Sequence, residues 1–349
     1  MFGDYADAVA LEAGARAGEM TDDVDTLYIG GGTPSVLPLS AFERITNALR
    51  QAGHSVPFEE FTVEVNPEDI VEKGHLYAEG LLKIGVNRIS MGVQSFDDGI
   101  LRWMNRRHDS AAAVKAYSIL EDAGFDNISI DLIFGLPQLS DEKWSETIDK
   151  ALSISSKGNK PCHISSYQLS VEPGSALAAM MEKGSFHEAD EDRCRTQYDV
   201  LCRSLAQAGY HHYEISNFAL PGREARHNSA YWRHVPYVGL GPGAHSYCSD
   251  SRSWNIDDID SYLEAASRGD FTSVCEREVL TREQLEMEKI MLALRTSAGI
   301  SEDFLISAVT DKTVRQAVAV GDLVRLPDGC LRIPEERFFI SDSIISSLV

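Results

Sequence analysis

Short apolar segments alternate along this chain with longer segments in which apolar residues recur every three or four positions. The short segments are typical of buried β-strands and the longer ones of amphipathic helices. The predicted strands span residues 25–30, 60–65, 88–93, 127–134, 163–169 and 212–216. The predicted helices span residues 1–20, 39–52, 68–84, 97–123, 141–154 and 189–208. Strands and helices that alternate in this way predict βαβ units and a parallel sheet.

The fold class follows from this alternation and from the residues after each strand. The sequence has no two-glycine dinucleotide-binding fingerprint, so six strands favour a (β/α) barrel, whole or partial, over a Rossmann sheet. Polar residues, glycines and prolines follow the strands directly, where the catalytic rim of such a barrel lies. The chain begins with a predicted helix rather than a strand. We therefore expect a partial (β/α) barrel whose first strand is missing.

The pattern changes after Asn217. Residues 218–276 are rich in glycine, histidine and aromatic residues, and they predict an irregular extension. Residues 277–349 predict a small winged-helix-like α+β domain, with helices at 281–295, 301–309, 312–320 and 341–348 and a hairpin at 323–333. We expect a core at 1–217 followed by these two parts. The last part has nine Lys/Arg against twelve Asp/Glu, so it lacks the basic stripe of a DNA-binding domain.

Composition excludes several classes of function. An apolar fraction of 43% supports a substantial core, while the net charge of −22 disfavours nucleic acid and anionic lipid as partners. The sequence has neither an apolar run near 18 residues nor a basic-then-apolar signal peptide, so we expect a cytoplasmic protein. Its six cysteines lie at least eight residues apart, at positions 162, 194, 202, 248, 275 and 330. That spacing fits isolated reduced thiols rather than a metal site.

A glycine turn and two carboxylates, all in or directly after predicted strands, are candidates for ligand binding. Three glycines at 30–32 follow the first predicted strand and allow close approach of a ligand, although an ordinary βα turn would use the same residues. Glu64 and Asp131 interrupt apolar strands, and a buried carboxylate requires a partner. That partner is either a ligand amine or hydroxyl or a structural ion pair.

Gln94 and Arg106 form a second candidate set. The Gln94 amide follows an apolar strand and can donate and accept at once, which suits a ribose or an amino-acid head group. Arg106 suits a carboxylate because its guanidinium binds in a bidentate way. The alternative for Arg106 is a solvated charge on a helix.

His227 lies close in sequence to Tyr231 and Trp232. A histidine beside two large aromatic residues is what a flat macrocycle with an axially ligated metal requires. The alternative is that the two aromatic side chains cover the core and His227 bonds to a backbone carbonyl. Chemistry alone leaves both interpretations open.

Nine motifs in a fixed order give these candidates a family context. They are GGGTPS, EVNPE, RISMGVQSF, NRRH, SIDLIFGLP, HISSYQLSVEPGS, YEISNFA, HNSAYW and YVGLGPGAHS. Together they resemble the HemW family of haem chaperones, in the oxygen-independent coproporphyrinogen III oxidase-like group of radical SAM proteins. The resemblance covers residues 5–349.

The resemblance implies two ligand sites. The residues that it assigns to S-adenosylmethionine (SAM) are Gly31, Gly32, Thr33, Glu64, Gln94, Arg106, Asp131 and Gln168. The residues that it assigns to haem b are His227, Asn228, Tyr231 and Trp232. It further implies delivery of haem to respiratory haem proteins, with membrane contact only through those partners. The alternatives are an oxidase that acts on coproporphyrinogen III and a cluster-free binding protein.

The sequence departs from the family at one point. Family members carry a CxxxCxxC loop that holds a [4Fe–4S] cluster, and no such loop occurs here. We therefore expect the cluster only in an N-terminally longer form, and no reductive SAM cleavage by the sequence as given. Either translation starts upstream of Met1 or the protein is a degenerate homologue, and the retained pocket residues favour the first explanation.

Overall fold

The computed structural model describes residues 2–20, 24–53 and 57–349. The strands are β1 Thr26–Ile29, β2 Glu60–Val65, β3 Arg88–Gln94, β4 Ile128–Phe134, β5 His163–Gln168, β6 His211–Glu214, β7 Asn217–Ala219, β8 His245–Cys248, β9 Ser251–Asn255, β10 Cys275–Val279, β11 Ile300–Ser301, β12 Val324–Arg325 and β13 Cys330–Arg332. The helices are α1 Phe2–Ala15, α2 Leu39–Gln51, α3 Pro67–Ile84, α4 Asp98–Trp103, α5 Ser110–Ala123, α6 Asp141–Leu152, α7 Ala176–Glu182, α8 Glu191–Gln207, α9 Arg226–Trp232, α10 Ile259–Arg268, α11 Arg282–Ala293, α12 Glu302–Ala308, α13 Asp311–Ala319 and α14 Ser341–Leu348.

A curled half-barrel sheet forms the centre of the fold. Its strand order is β1-β2-β3-β4-β5-β7-β6, and β1 to β5 are parallel. The hairpin of β6 and β7 closes the sheet, with β7 antiparallel to β5. The expected partial barrel is confirmed. Two three-stranded antiparallel sheets, β10-β9-β8 and β11-β13-β12, belong to the C-terminal half of the chain.

The parallel strands carry apolar and polar residues in alternation. Because successive side chains of a strand point to opposite faces, the buried residues Phe61, Val63 and Val65 of β2 share one face of the sheet. Glu60 and Glu64 of the same strand point to the other face. Parallel sheets covered by apolar layers on both faces have continuous apolar strands. Here only one face packs into the core, and the other is free to line a polar cavity.

Helix α1 is fixed to the segment that contains β9 and α10 by the buried carboxylate of Glu12. That carboxylate accepts hydrogen bonds from Tyr262 Oη at 2.6 Å and from Asn255 Nδ2 and the Gly241 N–H, each at 2.8 Å. Arg16 on the next turn of the chain forms an ion pair with it. A buried carboxylate with this many donors is fully satisfied. The N-terminal helix and residues 239–262 are therefore packed as one unit.

The structure corrects several boundaries. The predicted helix at 97–123 is two helices, because Asn105 adopts a left-handed conformation (φ +56°) and Asp109 caps the start of α5. The segment expected to be irregular contains α9, α10 and β8 to β10, and α7 and β7 were not predicted at all. The division of the chain into three parts stays a prediction. Within the described residues, no helix is both long and apolar enough to cross a membrane.

Candidate functional site

A polar cavity of about 140 Å³ lies on the inner face of the half barrel. Strands β1 to β5 and the start of α9 enclose it. Its lining residues are Tyr28, Glu60, Thr62, Glu64, Arg88, Ser90, Ser129, Asp131, His163, Ser165, Tyr167, Ala225 and Asn228. The cavity thus joins two of the predicted SAM residues, Glu64 and Asp131, to one of the predicted haem residues, Asn228.

The glycine turn after β1 packs directly on Glu64. Tyr28 Oη donates to Glu64 Oε1 at 2.6 Å, and the Gly31 N–H donates to Oε2 at 3.1 Å. A Cβ at position 30 would lie 2.3 Å from Tyr28 Cε1 and 2.6 Å from Glu64 Oε1, so only glycine fits there. A Cβ at Gly32 would meet nothing within 4 Å. The turn therefore packs tightly against the sheet at Gly30, whereas at Gly32 it leaves space in which a ligand can bind.

Asp131 is the most perturbed carboxyl group of the cavity. Burial raises its pKa to about 6, although hydrogen bonds from Ser165 and Ser90 act in the opposite direction. Ser90 Oγ lies 3.2 Å from both carboxylate oxygens. A carboxyl group with this pKa exchanges its proton near neutral pH and binds a cation or a hydroxyl donor readily.

A row of hydrogen-bonded side chains lies at the ends of β1 to β3 and consists of Arg106, Asn66 and Thr33. Arg106 Nη2 donates to Asn66 Oδ1 at 2.8 Å, and Asn66 Nδ2 donates to Thr33 Oγ1 at 3.4 Å. Arg106 Nε is buried without a hydrogen-bond partner among the described residues. Beside the row, Gln94 has φ +66° at a register shift between β3 and β4. A spare guanidinium donor suits a carboxylate-bearing ligand, and a left-handed backbone at a non-glycine residue is typical of functional sites.

Gln168 belongs neither to this row nor to the cavity lining. It is the exposed last residue of β5 and pairs with Phe134. The structure therefore brings Glu64, Asp131, Thr33, Gln94 and Arg106 to one end of the sheet, with Gln168 at its margin.

The backbone at His227 is held by a carboxylate from another strand. Glu60 of β2 accepts the N–H groups of Arg226 and His227, both at 2.9 Å. The residue before α9, Ala225, has no side chain that could cap the helix. Glu60 therefore replaces the usual N-cap side chain and fixes the first turn of α9 to the sheet.

The imidazole of His227 is held on three sides. Its Nδ1 lies 2.8 Å from Thr26 Oγ1, its Nε2 lies 2.8 Å from Tyr231 Oη, and its ring stacks on Tyr28 with centroids 5.0 Å apart. Burial lowers the pKa of His227 below its ordinary value of 6.5, although the charge of Glu60 acts in the opposite direction. The ring is therefore neutral at pH 7, and neither nitrogen bonds to a backbone carbonyl.

The other predicted haem residues divide between the two faces of α9. Asn228 lines the cavity, whereas Tyr231 is 38% exposed and meets Tyr237 edge-on at 4.6 Å. Trp232 is partly exposed at the end of the helix. Tyr231 thus lies at the surface next to Nε2 of His227 rather than over the core.

Three residues of this site were missed in the sequence: Thr26, Tyr28 and Glu60. Each of them bonds to or stacks on α9 from a strand some 170 to 200 positions earlier in the chain. The signal that could have revealed Glu60 is the alternation of polar residues along β2 to β5, which is unusual in parallel strands.

Comparisons with known proteins agree with this architecture. The Radical SAM superfamily profile matches residues 3–151. Coproporphyrinogen III oxidase (HemN) from Escherichia coli, a radical SAM enzyme, has a similar structure, with a TM-score of 0.81 over 99% of this chain and 83% of that chain. The two sequences are 20% identical, so this likeness shows a shared fold.

Sequence relatives define the family more narrowly. The Heme chaperone HemW of Bacillus subtilis is 36% identical over 282 residues, which are 80% of this chain and 72% of that protein. The Heme chaperone HemW of Mycobacterium tuberculosis is 30% identical over 93% of this chain and 81% of its own length. A mitochondrial radical S-adenosyl methionine domain-containing protein 1 from Danio rerio is 29% identical over 93% of this chain and 75% of its own length. The chain therefore belongs to the HemW family of radical SAM proteins.

Proposed function

We propose that this chain is a haem chaperone, which binds haem through His227 and passes it to haem-requiring respiratory proteins. The names of its bacterial relatives support the activity. The observation that carries the proposal is the setting of His227, a neutral histidine on a surface helix with one nitrogen behind an exposed tyrosine.

The hydrogen bonds of His227 favour one tautomer for iron binding. When the proton is on Nδ1, Thr26 Oγ1 accepts it and Tyr231 Oη donates to the lone pair of Nε2. The hydrogen bond made by one ring nitrogen of a histidine commonly sets the tautomer, and it thereby determines whether the other nitrogen can bind a metal. Iron then competes with one exposed hydroxyl for Nε2. Tyr231 and Trp232 offer aromatic surface to the macrocycle, and Asn228 lines the cavity on the other face of the helix.

SAM fits the residues at the other end of the cavity. Radical SAM proteins use this cofactor, and the open glycine turn, the carboxylate of Glu64 and the unpartnered Nε of Arg106 match its ammonium, hydroxyl and carboxylate groups. In this proposal Arg106 holds the carboxylate, Gly31, Gly32 and Thr33 border the methionine part, and Gln94, Asp131 and Gln168 contact the remaining polar edges. When bound together with a reduced cluster, SAM supplies radical chemistry in this superfamily.

The [4Fe–4S] cluster of the superfamily does not fit the residues of this sequence. The six cysteines are free and scattered, and within residues 2–20, 24–53 and 57–349 no group of three or more His, Cys, Asp or Glu side chains could hold a metal ion. The proposal therefore rests on binding of haem and SAM, and it assigns no redox step to these residues.

Haem titration tests the proposal. We expect the Soret band to change at a 1:1 ratio of haem to wild-type chain, and we expect His227→Ala to lose this change. His245→Ala is the matched control, because His245 also stacks on an aromatic ring, that of Trp254 at 6.0 Å, but is exposed on another sheet. Equal haem binding by His227→Ala and the wild type would remove His227 as the ligand. No haem binding by the wild type would leave the oxidase-like alternative and the cluster-free binding protein.

Transfer to an acceptor tests the second half of the proposal. The net charge of −22 favours approach to a basic partner, and the proposal places the exchange in the cytoplasm, with membrane contact only through the acceptor. The haem-loaded chain is mixed with a haem-free b-type cytochrome, and the acceptor spectrum is followed after separation of the two proteins. Transfer no faster than from free haem would contradict a chaperone role.

A further inference from the structure

Tyr28 contacts a residue of each candidate ligand site. Its hydroxyl donates to Glu64 Oε1 at 2.6 Å, and its ring stacks on the His227 imidazole at a centroid distance of 5.0 Å and an interplanar angle of 20°. One side chain therefore connects the carboxylate that faces the glycine turn with the histidine that lies behind the exposed Tyr231.

We propose that Tyr28 is a positioning residue that couples the two ligand sites. A ligand that donates a hydrogen bond to Glu64 then changes the position of the His227 ring. This inference rests on the proposed function, since it gives a regulatory meaning to the pair of sites. It concerns a SAM-like ligand, with ammonium or hydroxyl donors, on one side and haem on the other.

Strand β1 places Tyr28 in contact with both Glu64 and His227. Thr26 and Tyr28 lie two residues apart and therefore share one face of the strand. Thr26 bonds to Nδ1 of His227 while Tyr28 covers the ring, so β1 holds both an edge and the plane of the imidazole. Tyr28 is in register with Thr62, between Glu60 and Glu64 on β2.

The surroundings of Tyr28 limit the direction in which it can move. On the side of the turn, the Gly30 backbone is so close that a Cβ there would lie 2.3 Å from Tyr28 Cε1. Each oxygen of Glu64 already accepts one hydrogen bond, from Tyr28 Oη and from the Gly31 N–H, so a further donor to this carboxylate weakens its hydrogen bond with Tyr28. A phenol released from Glu64 is blocked by the turn, so it moves towards the cavity that Tyr28 lines and changes its stacking on His227.

The side-chain NMR signals of His227 test this coupling without any ligand. We expect Glu64→Gln to shift the ¹³Cε1 and ¹⁵N resonances of His227, because the amide weakens the Tyr28 hydrogen bond. In Tyr28→Phe, which keeps the stacked ring but loses the hydroxyl, the same Glu64→Gln substitution should have no further effect. Tyr237→Phe is the matched control: Tyr237 contacts Tyr231 but not Glu64, so the Glu64→Gln shift should persist there.

Haem affinity gives the second measurement. Glu64→Gln and Tyr28→Phe should each change the haem Kd by about two- to tenfold, and the double variant should match the single ones, since contacting residues are non-additive. No shift of His227 in Glu64→Gln, or shifts that add in the double variant, would overturn the coupling. Intact coupling by NMR in a chain that binds no haem would instead refute the proposed function and leave the role of Tyr28 standing.

Discussion

The carboxylate of Glu60 accepts the backbone N–H of His227 at 2.9 Å, across 167 positions of sequence. Its other oxygen accepts the N–H of Arg226, so one buried side chain satisfies two of the free donors at the start of α9. A negative charge at this end of a helix also interacts favourably with the helix dipole. The position of the candidate haem ligand thus depends on a strand of the half barrel.

Glu60→Gln should loosen α9 and weaken haem binding. The amide keeps one acceptor but turns an NH₂ group towards a backbone N–H, which leaves a buried donor unsatisfied. We expect a loss of about 1–3 kcal/mol in the free energy of unfolding. We also expect a several-fold higher haem Kd. Urea unfolding and haem titration measure the two effects.

Glu59→Gln is the control for this substitution. Glu59 is the neighbouring residue and pairs with the side chain of Arg226, but both side chains are more than half exposed. An exposed ion pair contributes about 0–1 kcal/mol, so this variant should bind haem like the wild type. Similar losses of stability and haem affinity in both variants would show that these properties depend on the negative charge near Arg226 and not on the hydrogen bonds that cap α9.

Gly30→Ala should damage both candidate sites at once. The added methyl group would overlap with Tyr28 and Glu64, so one of these side chains must move. We expect SAM and haem affinity both to fall in calorimetric and spectroscopic titrations. A variant that impaired only SAM binding would argue against the contact between Tyr28 and His227.

Gly32→Ala is the matched control in the same turn. An added methyl group there meets no atom within 4 Å, and Gly32 does not adopt the left-handed backbone conformation that Gly31 has. We therefore expect unchanged stability and unchanged haem binding. Loss of haem binding in Gly32→Ala would mean that the turn acts through flexibility rather than through close packing.

Strands β1 to β6 and most helices were predictable from the sequence because their periodicity is strong, whereas β7 to β11 were not predicted. Glu64 and Asp131 were identifiable because each interrupts an otherwise apolar strand, and burial of a carboxylate is costly. The break between α4 and α5 was not predicted, since it depends on the left-handed conformation of Asn105. No propensity of asparagine is strong enough to place such a break with certainty in an otherwise helical pattern.

The supports of His227 could not be predicted from local pattern. Thr26, Tyr28 and Glu60 are ordinary strand residues by type, and their roles exist only because α9 folds back onto β1 and β2. The alternation of polar side chains in four successive parallel strands does indicate a polar inner face. It does not indicate which later segment closes that face.

Asp131→Asn should change the pH dependence of stability. Burial raises the pKa of Asp131 to about 6, above the usual value of 3.8, so its protonation stabilises the folded chain in acid, and this contribution is lost as the pH rises through about 6. Between pH 5 and pH 8 the wild type should lose about 1 kcal/mol relative to Asp131→Asn. Urea unfolding across this range measures the difference.

Asp126→Asn is the control for Asp131. Asp126 is 79% exposed and forms a surface ion pair with Arg223 at 3.2 Å, so its removal should cost no more than about 1 kcal/mol. The buried histidines contribute equally to the wild type and to both variants, so their effect cancels. A difference between the wild type and Asp131→Asn that stayed constant from pH 5 to pH 8 would contradict a raised pKa for Asp131.

Tyr231→Phe should tighten haem binding. The Tyr231 hydroxyl occupies Nε2 of His227 at 2.8 Å, and the iron must displace it. Removing that hydrogen bond, which is worth about 0.5–1.5 kcal/mol, should lower the haem Kd by about two- to tenfold while the aromatic surface remains. Tyr237→Phe removes a hydroxyl from the ring that packs edge-on against Tyr231, and it should leave the Kd unchanged. Weaker binding by Tyr231→Phe would show instead that this hydroxyl contacts the haem itself. The His227→Ala titration would then decide whether His227 is the ligand.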